Sequence, residues 1–425
     1  MKIEQLYKLF LECNSVCTDT RKLKVNDIFF ALKGEKFNGN AYAEQAINNG
    51  AKYSIIDEEA FNTKEQTILV NNVLETLQEL AAFHRTFLNI PIIALTGSNG
   101  KTTTKELINA TLSQKYKTTA TTGNLNNHIG VPLTLLSMTK HTEIGIVEMG
   151  ANHQKEIEFL CSIANPDYGY ITNFGKAHLE GFGSVEGVIK GKTELYNFLI
   201  KNKKTIFVNG NDPIQTEKSK QASTFSFGNN TNFNIQITFI EAQPNVKVSY
   251  NNFTIESHLI GEYNFYNIAA AITIGNYFKV DDSAIKKAIE NYIPNNNRSQ
   301  VLTKGTNNII LDAYNANPTS MQAALLNFEK LNDSFKVAFL GDMFELGKDA
   351  ELEHQNIVNL IETLHFKVIL IGENFNETKN SSSKISIFKT FDNFKSSFDF
   401  SKVENATLLI KGSRGMAMER ILELI

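Results

Sequence analysis

The residues of this chain best suited to chemistry form one short run, TGSNGKTTTKE, at residues 96–106. An apolar, strand-like stretch precedes the run and a segment with helical spacing follows it. Gly97 and Gly100 would let backbone N–H groups approach phosphate oxygens, and the helix N-terminus adds a positive dipole end. Lys101 would then reach the β- and γ-phosphates, while the Thr102 hydroxyl would take Mg²⁺. The run therefore predicts a phosphate-binding loop.

This loop departs from the usual pattern at its first position. Leu95 stands five residues before Gly100, where such loops normally carry a glycine. The shortened form is unlike the loops of small GTPases and most kinases. An ordinary turn is the alternative, and the strand before the loop and the helix after it argue against that alternative.

Two further side chains could complete a metal site near the loop. Glu148 ends the buried-strand run IGIVEMG, where an acidic group beside a phosphate loop can hold Mg²⁺. His178 follows the strand-like run YGYITN. For Glu148 the alternative is the capping of a loop, and a lone loop histidine such as His178 is more often structural.

Lys192 stands at an unexpected place on a predicted helix after Ser184. Helical spacing puts it on one face with three apolar residues, Val188, Leu195 and Leu199, and the polar side is made up of Lys190, Thr193, Glu194, Asn197 and Lys201. An ammonium on a buried face is costly, so its pKa should fall. A side chain that snorkels to solvent is an equally plausible alternative.

Length and composition limit the possible classes of protein. The chain has 425 residues, and 42% of them are hydrophobic. This is a longer chain than a single hydrophobic core needs, so two or three domains are expected. A formal charge of −3 gives no general attraction for nucleic acid or anionic lipid. No run approaches the ~20 apolar residues of a membrane span, and the N-terminus predicts an amphipathic helix, not a signal peptide. Cys13, Cys17 and Cys161 are expected to be reduced thiols in a cytoplasmic protein.

Strand-like and helical segments alternate along the whole chain, which predicts an α/β protein of three units. We expect a small first domain at residues 1–88, a central domain with a mostly parallel sheet at 89–296, and a Rossmann-like third domain at 297–425. Two-residue alternation at 232–260 predicts an antiparallel extension of the central sheet. The run YIPNNNRSQ indicates a linker before the third domain.

Several motifs together resemble those of the Mur ligases, ATP-dependent amide-forming enzymes of peptidoglycan assembly, and the resemblance runs through all three domains. The motifs are TGSNGKTTTKE, EMGANH, AHLEGFGS and GEYNFYNIAAA, with TDTRKLKVNDIFFALKGEKFNG near the N-terminus. GNLNNHIGVPLTLL, VEMGANHQKEI, LDAYNANPTSM and LGDMFELG resemble the member that adds D-alanyl-D-alanine. The D-N-P-R signature of the member that adds the third amino acid is absent.

The resemblance implies a set of site residues. ATP contacts are implied at Gly97, Ser98, Asn99, Gly100, Lys101, Thr102, Thr103, Asn267, Arg298 and Asp312. Two magnesium ions are implied at Thr102, Glu148, His178 and Lys192, the last as a carbamylated lysine, and catalytic roles at Lys101, His178 and Lys192. Contacts to the UDP-sugar-peptide are implied at Thr18, Asp19, Thr20, Arg21, Lys33, Gly34, Asn124, Asn126 and Asn127.

The implied reaction adds D-alanyl-D-alanine to UDP-N-acetylmuramoyl-tripeptide, in a monomer without nucleic-acid or membrane partners. A folylpolyglutamate synthase is the rival within the same superfamily, and the first domain argues against it. A P-loop switch or motor without ligation is the rival from another class. Whether lysine or diaminopimelate is the third peptide residue, and which group deprotonates the amine, stay open.

The run KGSR near the C-terminus is a further candidate site. Lys411, Ser413 and Arg414 lie between a predicted strand and a predicted helix, a place suited to a carboxylate. A simple helix-capping turn is an equally good explanation. Glu345 and His354 could serve the incoming dipeptide, but spacing alone assigns neither a catalytic role.

Overall fold

The first structural unit of the chain is a small parallel sheet with flanking helices, seen in a computed structural model that describes residues 1–425. Its strands are β1 (Val16–Cys17), β2 (Ile28–Phe30), β5 (Tyr53–Ile56) and β6 (Thr67–Leu69), paired in that order. A separate two-stranded hairpin contains β3 (Lys33–Gly34) and β4 (Phe37–Asn38), and the helices are α1 (Ile3–Leu11), α2 (Ala43–Asn48) and α3 (Val73–Leu88).

The central unit is a nine-stranded sheet in the order β15-β14-β13-β12-β11-β10-β7-β9-β8. Its strands are β7 (Ile92–Thr96), β8 (Thr118–Ala120), β9 (Ile144–Glu148), β10 (Tyr168–Ile171), β11 (Thr205–Asn209), β12 (Ser223–Gly228), β13 (Ile235–Glu241), β14 (Lys247–Tyr250) and β15 (Phe253–Glu256). All neighbouring strands pair in parallel except β13–β14 and β14–β15, which form the antiparallel extension predicted from the alternation.

Nine helices cover this central sheet. They are α4 (Lys101–Leu112), α5 (Gly130–Leu136), α6 (Glu156–Ala164), α7 (Leu179–Phe182), α8 (Val185–Lys192), α9 (Glu194–Lys201), α10 (Pro213–Lys218), α11 (Asn264–Tyr277) and α12 (Asp282–Glu290). Because parallel strands alternate with helices, the strand carboxyl ends meet at one edge of the sheet.

The third unit has a six-stranded sheet in the order β16-β17-β21-β18-β19-β20. The strands are β16 (Gln300–Lys304), β17 (Asn307–Asp312), β18 (Lys336–Gly341), β19 (Lys367–Ile371), β20 (Ile385–Phe388) and β21 (Thr407–Lys411), with helices α13 (Pro318–Glu329), α14 (Ala350–Thr363), α15 (Glu373–Asn376) and α16 (Phe391–Ser397). Only the β16–β17 pair is antiparallel. The three-unit α/β architecture predicted from the sequence is confirmed, whereas the β16 strand was not predicted.

The helix predicted after Ser184 divides into α8 and α9 at Thr193. Lys190 and Asn197 are exposed, as the helical face predicts, but Thr193 and Glu194 are buried, which corrects their assignment to the polar side. Glu194 is buried because its carboxylate accepts the backbone N–H groups of Lys155 and Glu158 at 2.6 and 3.0 Å. It thus satisfies N–H groups at the start of α6 that no helical carbonyl can reach.

The three cysteines are free thiols, and none of the helices combines the length and apolar character that a membrane crossing requires. Burial raises the pKa of Cys13 to about 11 and also raises that of Cys161. Thiols with raised pKa values carry little thiolate at neutral pH and are chemically inert.

Arg85 of α3 joins the first unit to the central one. Its side chain is buried, and its guanidinium pairs with Asp167 at 2.8 Å. It also donates to the backbone carbonyls of Ala164 and Asn165, each at 3.1 Å. Asp167 in turn accepts the N–H of Ile92 at the start of β7. A buried ion pair of this kind holds two units in one orientation.

Replacing Arg85 by Met should therefore destabilise the protein. The substitution leaves the two backbone carbonyls without their donor, while Asp167 keeps Lys204 at 2.6 Å, so the cost is about 2 kcal/mol. We expect this loss in the free energy of unfolding measured by urea titration. Arg21→Met, which removes a surface-exposed guanidinium, is the control and should leave the unfolding midpoint unchanged.

Candidate active site

A cleft of ≈1190 Å³ lies where the three units meet. The central unit contributes the loop after β7, the first turn of α4 and the segment after β9. Residues at the start of α3 line its outer end, and the third unit supplies side chains that precede β16 or lie at or after the ends of β17, β18 and β21. Because all three units contribute to its wall, the cleft is a site that no single unit could form.

The loop at residues 97–100 is clamped against the segment that follows β10. Gly97 has φ +146°, and a Cβ there would stand 1.9 Å from the Thr172 hydroxyl oxygen, so only glycine fits. The Thr172 hydroxyl donates to the Asn99 carbonyl at 2.6 Å, and the Asn173 side-chain oxygen accepts the Asn99 N–H at 3.0 Å. This clamp fixes the backbone conformation of the loop.

Lys101 opens α4 immediately after this loop. Its ammonium donates to the carbonyls of Gly97 and Ser98 at 2.7 and 3.2 Å, and the half-buried side chain lines the cleft. Burial lowers the pKa of Lys101, and the carboxylate of Glu148 opposes that shift. A cation held at the N-terminus of a helix, beside free backbone N–H groups, is suited to a phosphate group.

Thr102 and Glu148 meet at the floor of the cleft. The Thr102 hydroxyl donates to one carboxylate oxygen of Glu148 at 2.9 Å, and the Asn126 amide donates to the other at 2.8 Å. Glu148 is 1% exposed, so its buried carboxylate depends on these two hydrogen bonds in place of water. The structure thus brings together two predicted metal ligands and one predicted substrate residue.

Asn267 of α11 packs against the opposite side of the loop. A Cβ on Gly100, which has φ +78°, would lie 2.6 Å from its side-chain oxygen. That oxygen accepts the Thr104 hydroxyl at 2.9 Å, and the Asn267 amide donates to Asn264 at 2.7 Å. Asn267 therefore lies in contact with the phosphate loop, in the wall of the cleft.

Arg298 and Asp312 reach the cleft from the third unit. The Arg298 guanidinium stacks on the Tyr314 ring, with 3.8 Å between its central carbon and the ring centre. Asp312 accepts the N–H of Ser299 at 3.1 Å and pairs with the buried ammonium of Lys411 at 2.5 Å. Both predicted nucleotide residues thus face the loop from across the domain boundary.

His178 lies at the contact between the central and third units. Its backbone is left-handed, with φ +54°, and Nδ1 stands 2.6 Å from a carboxylate oxygen of Glu345. At this distance the imidazole is held directly against the Glu345 carboxylate. The contact with His178 lowers the pKa of Glu345. Glu345 of the third unit therefore fixes the orientation of this imidazole at the domain boundary.

Lys192 is fully buried, in agreement with the helical face predicted for it. Its ammonium donates to the Ala151 carbonyl at 3.0 Å and lies 5.0 Å from the centre of the Phe182 ring, and no carboxylate pairs with it. Burial, followed by the nearby charge of Lys101, lowers the pKa of Lys192 well below its usual value. The side chain lies behind the cleft wall formed by Ala151 and does not line the cleft itself.

The donor atoms at the floor of the cleft fit Mg²⁺. Thr102 and Glu148 offer oxygens, the ligands that Mg²⁺ prefers, and His178 lines the same cleft. No group of three or more His, Cys, Asp or Glu side chains could hold an ion alone. Mg²⁺ is commonly bound by one or two carboxylates together with substrate phosphates, which suits this sparse set.

The residues predicted to contact the UDP-sugar-peptide fall in two places. Asn124, Asn126 and Asn127 line the cleft, beside the start of α3. The residues from the first unit, which do not line it, are Thr18, Asp19, Thr20, Arg21, Lys33 and Gly34. Asp19 pairs with Arg21 at 2.8 Å, and Lys33 pairs with Asp57 and Glu58, each at 2.9 Å. Their role stays a prediction.

Comparison with known proteins connects this geometry to one family. Three family models match in succession: the "Mur ligase family, catalytic domain" at residues 12–85, the "Mur ligase middle domain" at 95–275, and the "Mur ligase, glutamate ligase domain" at 297–414. A Bacillus subtilis relative, UDP-N-acetylmuramoyl-tripeptide--D-alanyl-D-alanine ligase, is 38% identical over 80% of this chain and 76% of its own. The chain belongs to the Mur ligase family.

Solved structures of Mur ligases share the whole architecture. A crystal structure of MurF from Acinetobacter baumannii matches with a TM-score of 0.88 and 29% identity, covering 100% of this chain and 98% of the other. MurF ligase from Thermotoga maritima, in complex with ADP, matches with a TM-score of 0.81 and 26% identity over 98% and 97% of the two chains. The similarity therefore extends over all three units and their arrangement.

Sequence reasoning missed several residues of this Mur ligase cleft. Asn173 holds the phosphate loop, and Asn317 of the third unit donates its amide to Asn99 at 2.7 Å. Asn317 also caps α13, so the signal N-P-T-S was readable as a helix start but not as a contact to the loop. His354, considered for the dipeptide, is structural: it is buried and accepts the Met343 N–H at 3.0 Å.

One ion pair ties the third unit to the central one beside this cleft. Glu353 of α14 is 6% exposed, and its carboxylate pairs with Lys176 of the central unit at 2.5 Å. The backbone N–H of Lys176 donates to the Thr319 hydroxyl at 3.0 Å. A buried carboxylate needs a partner, so the position of the third unit depends on Lys176.

Removing this cation should loosen the third unit. Lys176→Met leaves the Glu353 carboxylate buried without a cation, so the separation of the two units becomes more favourable. We expect a larger radius of gyration by small-angle X-ray scattering. Adding Glu353→Gln should reverse much of the change, because a neutral amide tolerates burial better. An unchanged radius in the single variant would contradict this role.

Proposed function

We propose that this chain joins D-alanyl-D-alanine to UDP-N-acetylmuramoyl-tripeptide with hydrolysis of ATP to ADP and phosphate, in the synthesis of peptidoglycan precursors. The observation that carries the proposal is the phosphate loop inside a cleft lined by all three units, in a chain similar throughout to D-alanyl-D-alanine-adding ligases. ATP supplies intracellular energy, and we place the reaction in the cytoplasm, carried out by a monomer.

The reaction needs activation because a carboxylate is a poor electrophile. The γ-phosphoryl group of ATP passes to an oxygen of the terminal carboxylate of the tripeptide, which gives an acyl phosphate and ADP. The free amine of D-alanyl-D-alanine then attacks the acyl carbon, and the tetrahedral oxyanion collapses with loss of phosphate. One amide bond forms, and the amine gives up a proton.

Lys101 carries most of the protein's part in phosphoryl transfer. Such transfers require charge neutralisation and alignment more than covalent help from the protein. The Lys101 ammonium at the N-terminus of α4, with the backbone N–H groups of the glycine-rich loop, neutralises the β- and γ-phosphates. Asn267, Arg298 and Asp312 surround the nucleotide from α11 and the third unit.

Magnesium belongs to this proposal as a resident cofactor. Thr102 and Glu148 would hold one ion, and His178 with a carbamylated Lys192 a second. When bound, Mg²⁺ supplies positive charge that stabilises the attacking and leaving oxygens. Glu148 is already oriented by Thr102 and Asn126, so little rearrangement of its carboxylate is needed.

The environment of Lys192 supports carbamylation. Only a neutral amine reacts with CO₂, and burial together with the positive charge of Lys101 lowers the pKa of Lys192. No carboxylate pairs with the ammonium, and the more remote charges of Glu156 and Glu194 only partly oppose this lowering of the pKa. A carbamate would convert this side chain into an anion with two oxygens.

The substrates extend away from the phosphate loop in two directions. The sugar-peptide passes Asn124, Asn126 and Asn127 towards the start of α3, and the uridine end reaches the first unit at residues 18–21 and 33–34. The dipeptide approaches from the third unit. With domain boundaries at 88/89 and 296/297, the uridine end would lie on the first unit, ATP on the central unit and the dipeptide on the third.

Phosphate release with substrates supplied separately and together tests the proposed function. We expect rapid release only when ATP, UDP-N-acetylmuramoyl-tripeptide and D-alanyl-D-alanine are all present, with one phosphate per amide formed. Lys101→Ala should abolish both products. Equal ATP hydrolysis without the two acceptors would instead favour a P-loop switch or motor.

Lys192 gives a sharper prediction within this reaction. Lys192→Ala should lose most activity, and acetate or formate should restore part of it by placing a carboxylate where the carbamate stood. A small acid can enter because the alanine leaves a cavity behind the cleft wall.

Lys190→Ala is the matched control, since it removes the same side chain from the same helix α8. Lys190 is exposed and lies about 200° around the helix from Lys192, so little activity should be lost. Equal losses at both positions, without rescue by acid, would leave Lys192 a structural residue.

A further inference from the structure

Arg414 is a cation in the cleft that has no role in the phosphoryl transfer or amide formation proposed for this protein. It follows β21, and its guanidinium carbon lies 5.8 Å from the centre of the Tyr314 ring. The Arg298 guanidinium contacts the same ring. The Arg414 side chain is 61% exposed while lining the cleft. A cation in a substrate cleft that remains open to solvent can meet a ligand directly.

The rest of the KGSR run is already engaged within the protein. Lys411 is buried and paired with Asp312, as described above. The Ser413 hydroxyl accepts the N–H of Phe344 at 2.8 Å and contacts the carbonyl of Ala316 at 3.2 Å. The carboxylate site predicted from this run is therefore reduced to the side chain of Arg414.

The present partner of Arg414 is exchangeable. Its Nη1 contacts a carboxylate oxygen of Glu419 at 3.0 Å, in a pair whose arginine side chain is largely exposed. Exposed ion pairs contribute little to stability because water and salt screen them. The planar guanidinium has five N–H donors and matches a carboxylate in bidentate geometry, so a ligand carboxylate can share or replace this contact.

An apolar side chain lies beside this cation. Phe344 is 41% exposed, and a Cβ added at Gly415, next to Arg414, would stand 2.9 Å from its ring. The following residue, Glu345, contacts His178 at the domain boundary. The third unit thus presents a cation and an exposed ring close in sequence to this boundary contact, which suits a short peptide with small apolar side chains and a free carboxyl terminus.

We propose that Arg414 binds the C-terminal carboxylate of D-alanyl-D-alanine and so selects a dipeptide with a free carboxyl end. This inference rests on the proposed function. Two extended residues span about 7 Å, so anchoring the carboxylate leaves the amine directed away from Arg414, towards the central unit. Arg414 is a binding residue in this assignment and takes no part in proton transfer.

The test compares D-alanyl-D-alanine with D-alanyl-D-alaninamide, which keeps the amine and both methyl groups but lacks the anionic end. The wild-type protein should favour the acid over the amide in kcat/KM by a factor on the order of 10 to 100, as expected for hydrogen bonds to a charged group. In Arg414→Ala the acid should lose that factor while the amide changes little. Arg414→Lys should keep an intermediate preference, because the charge remains but the bidentate geometry is lost.

Lys389→Ala removes one exposed positive charge of the third unit outside the cleft and should leave the preference intact. A wild-type protein that uses both dipeptides equally, or an Arg414→Ala variant that loses both to the same extent, would overturn the assignment. Failure of the wild-type protein to ligate either dipeptide would overturn the proposed function instead, so the two failures are distinguishable.

Discussion

The close approach of Gly97 to Thr172 is the contact on which the site depends. It fastens the turn after β7 to the end of β10, and only a residue without a side chain permits it. Asn173 then accepts from the loop, and Asn267 closes it from the side of α11. The conformation of the phosphate loop is therefore set by neighbouring strands and a distant helix as much as by its own sequence.

The same edge of the central sheet collects the remaining groups. Strand β9 ends at Glu148, and the segment after β10 leads to His178. Because the strands are parallel, the carboxylate and the imidazole both follow strand ends at the same edge of the sheet. The third unit approaches this edge with Asn317 and Glu345, and each touches a residue of the central unit. Because the cleft lies at the boundary of two units, ligand binding depends on their relative position. Moving the third unit away would remove part of the cleft wall.

Much of this arrangement was accessible from the sequence because the signals were local. The phosphate loop, the buried face of α8 and the alternation in β13–β15 each depend on spacing within a short segment. The contact of His178 with Glu345, the role of Asn173 and the burial of Glu194 depend on residues far apart in the chain, and no local spacing reveals them. Strand β16 was hidden because a short polar edge strand resembles the linker that precedes it.

The pairing of Glu353 with Lys176 limits how far the third unit can be treated as an interchangeable module. A carboxylate buried in one unit has its only ion-pair partner on another, so the excised unit would carry a charge that its own fold does not compensate. A chimera that takes its third unit from another relative would need a compatible residue at position 176 of the recipient. Exchange of units between relatives would thus succeed only when the two sides of this boundary are transferred together.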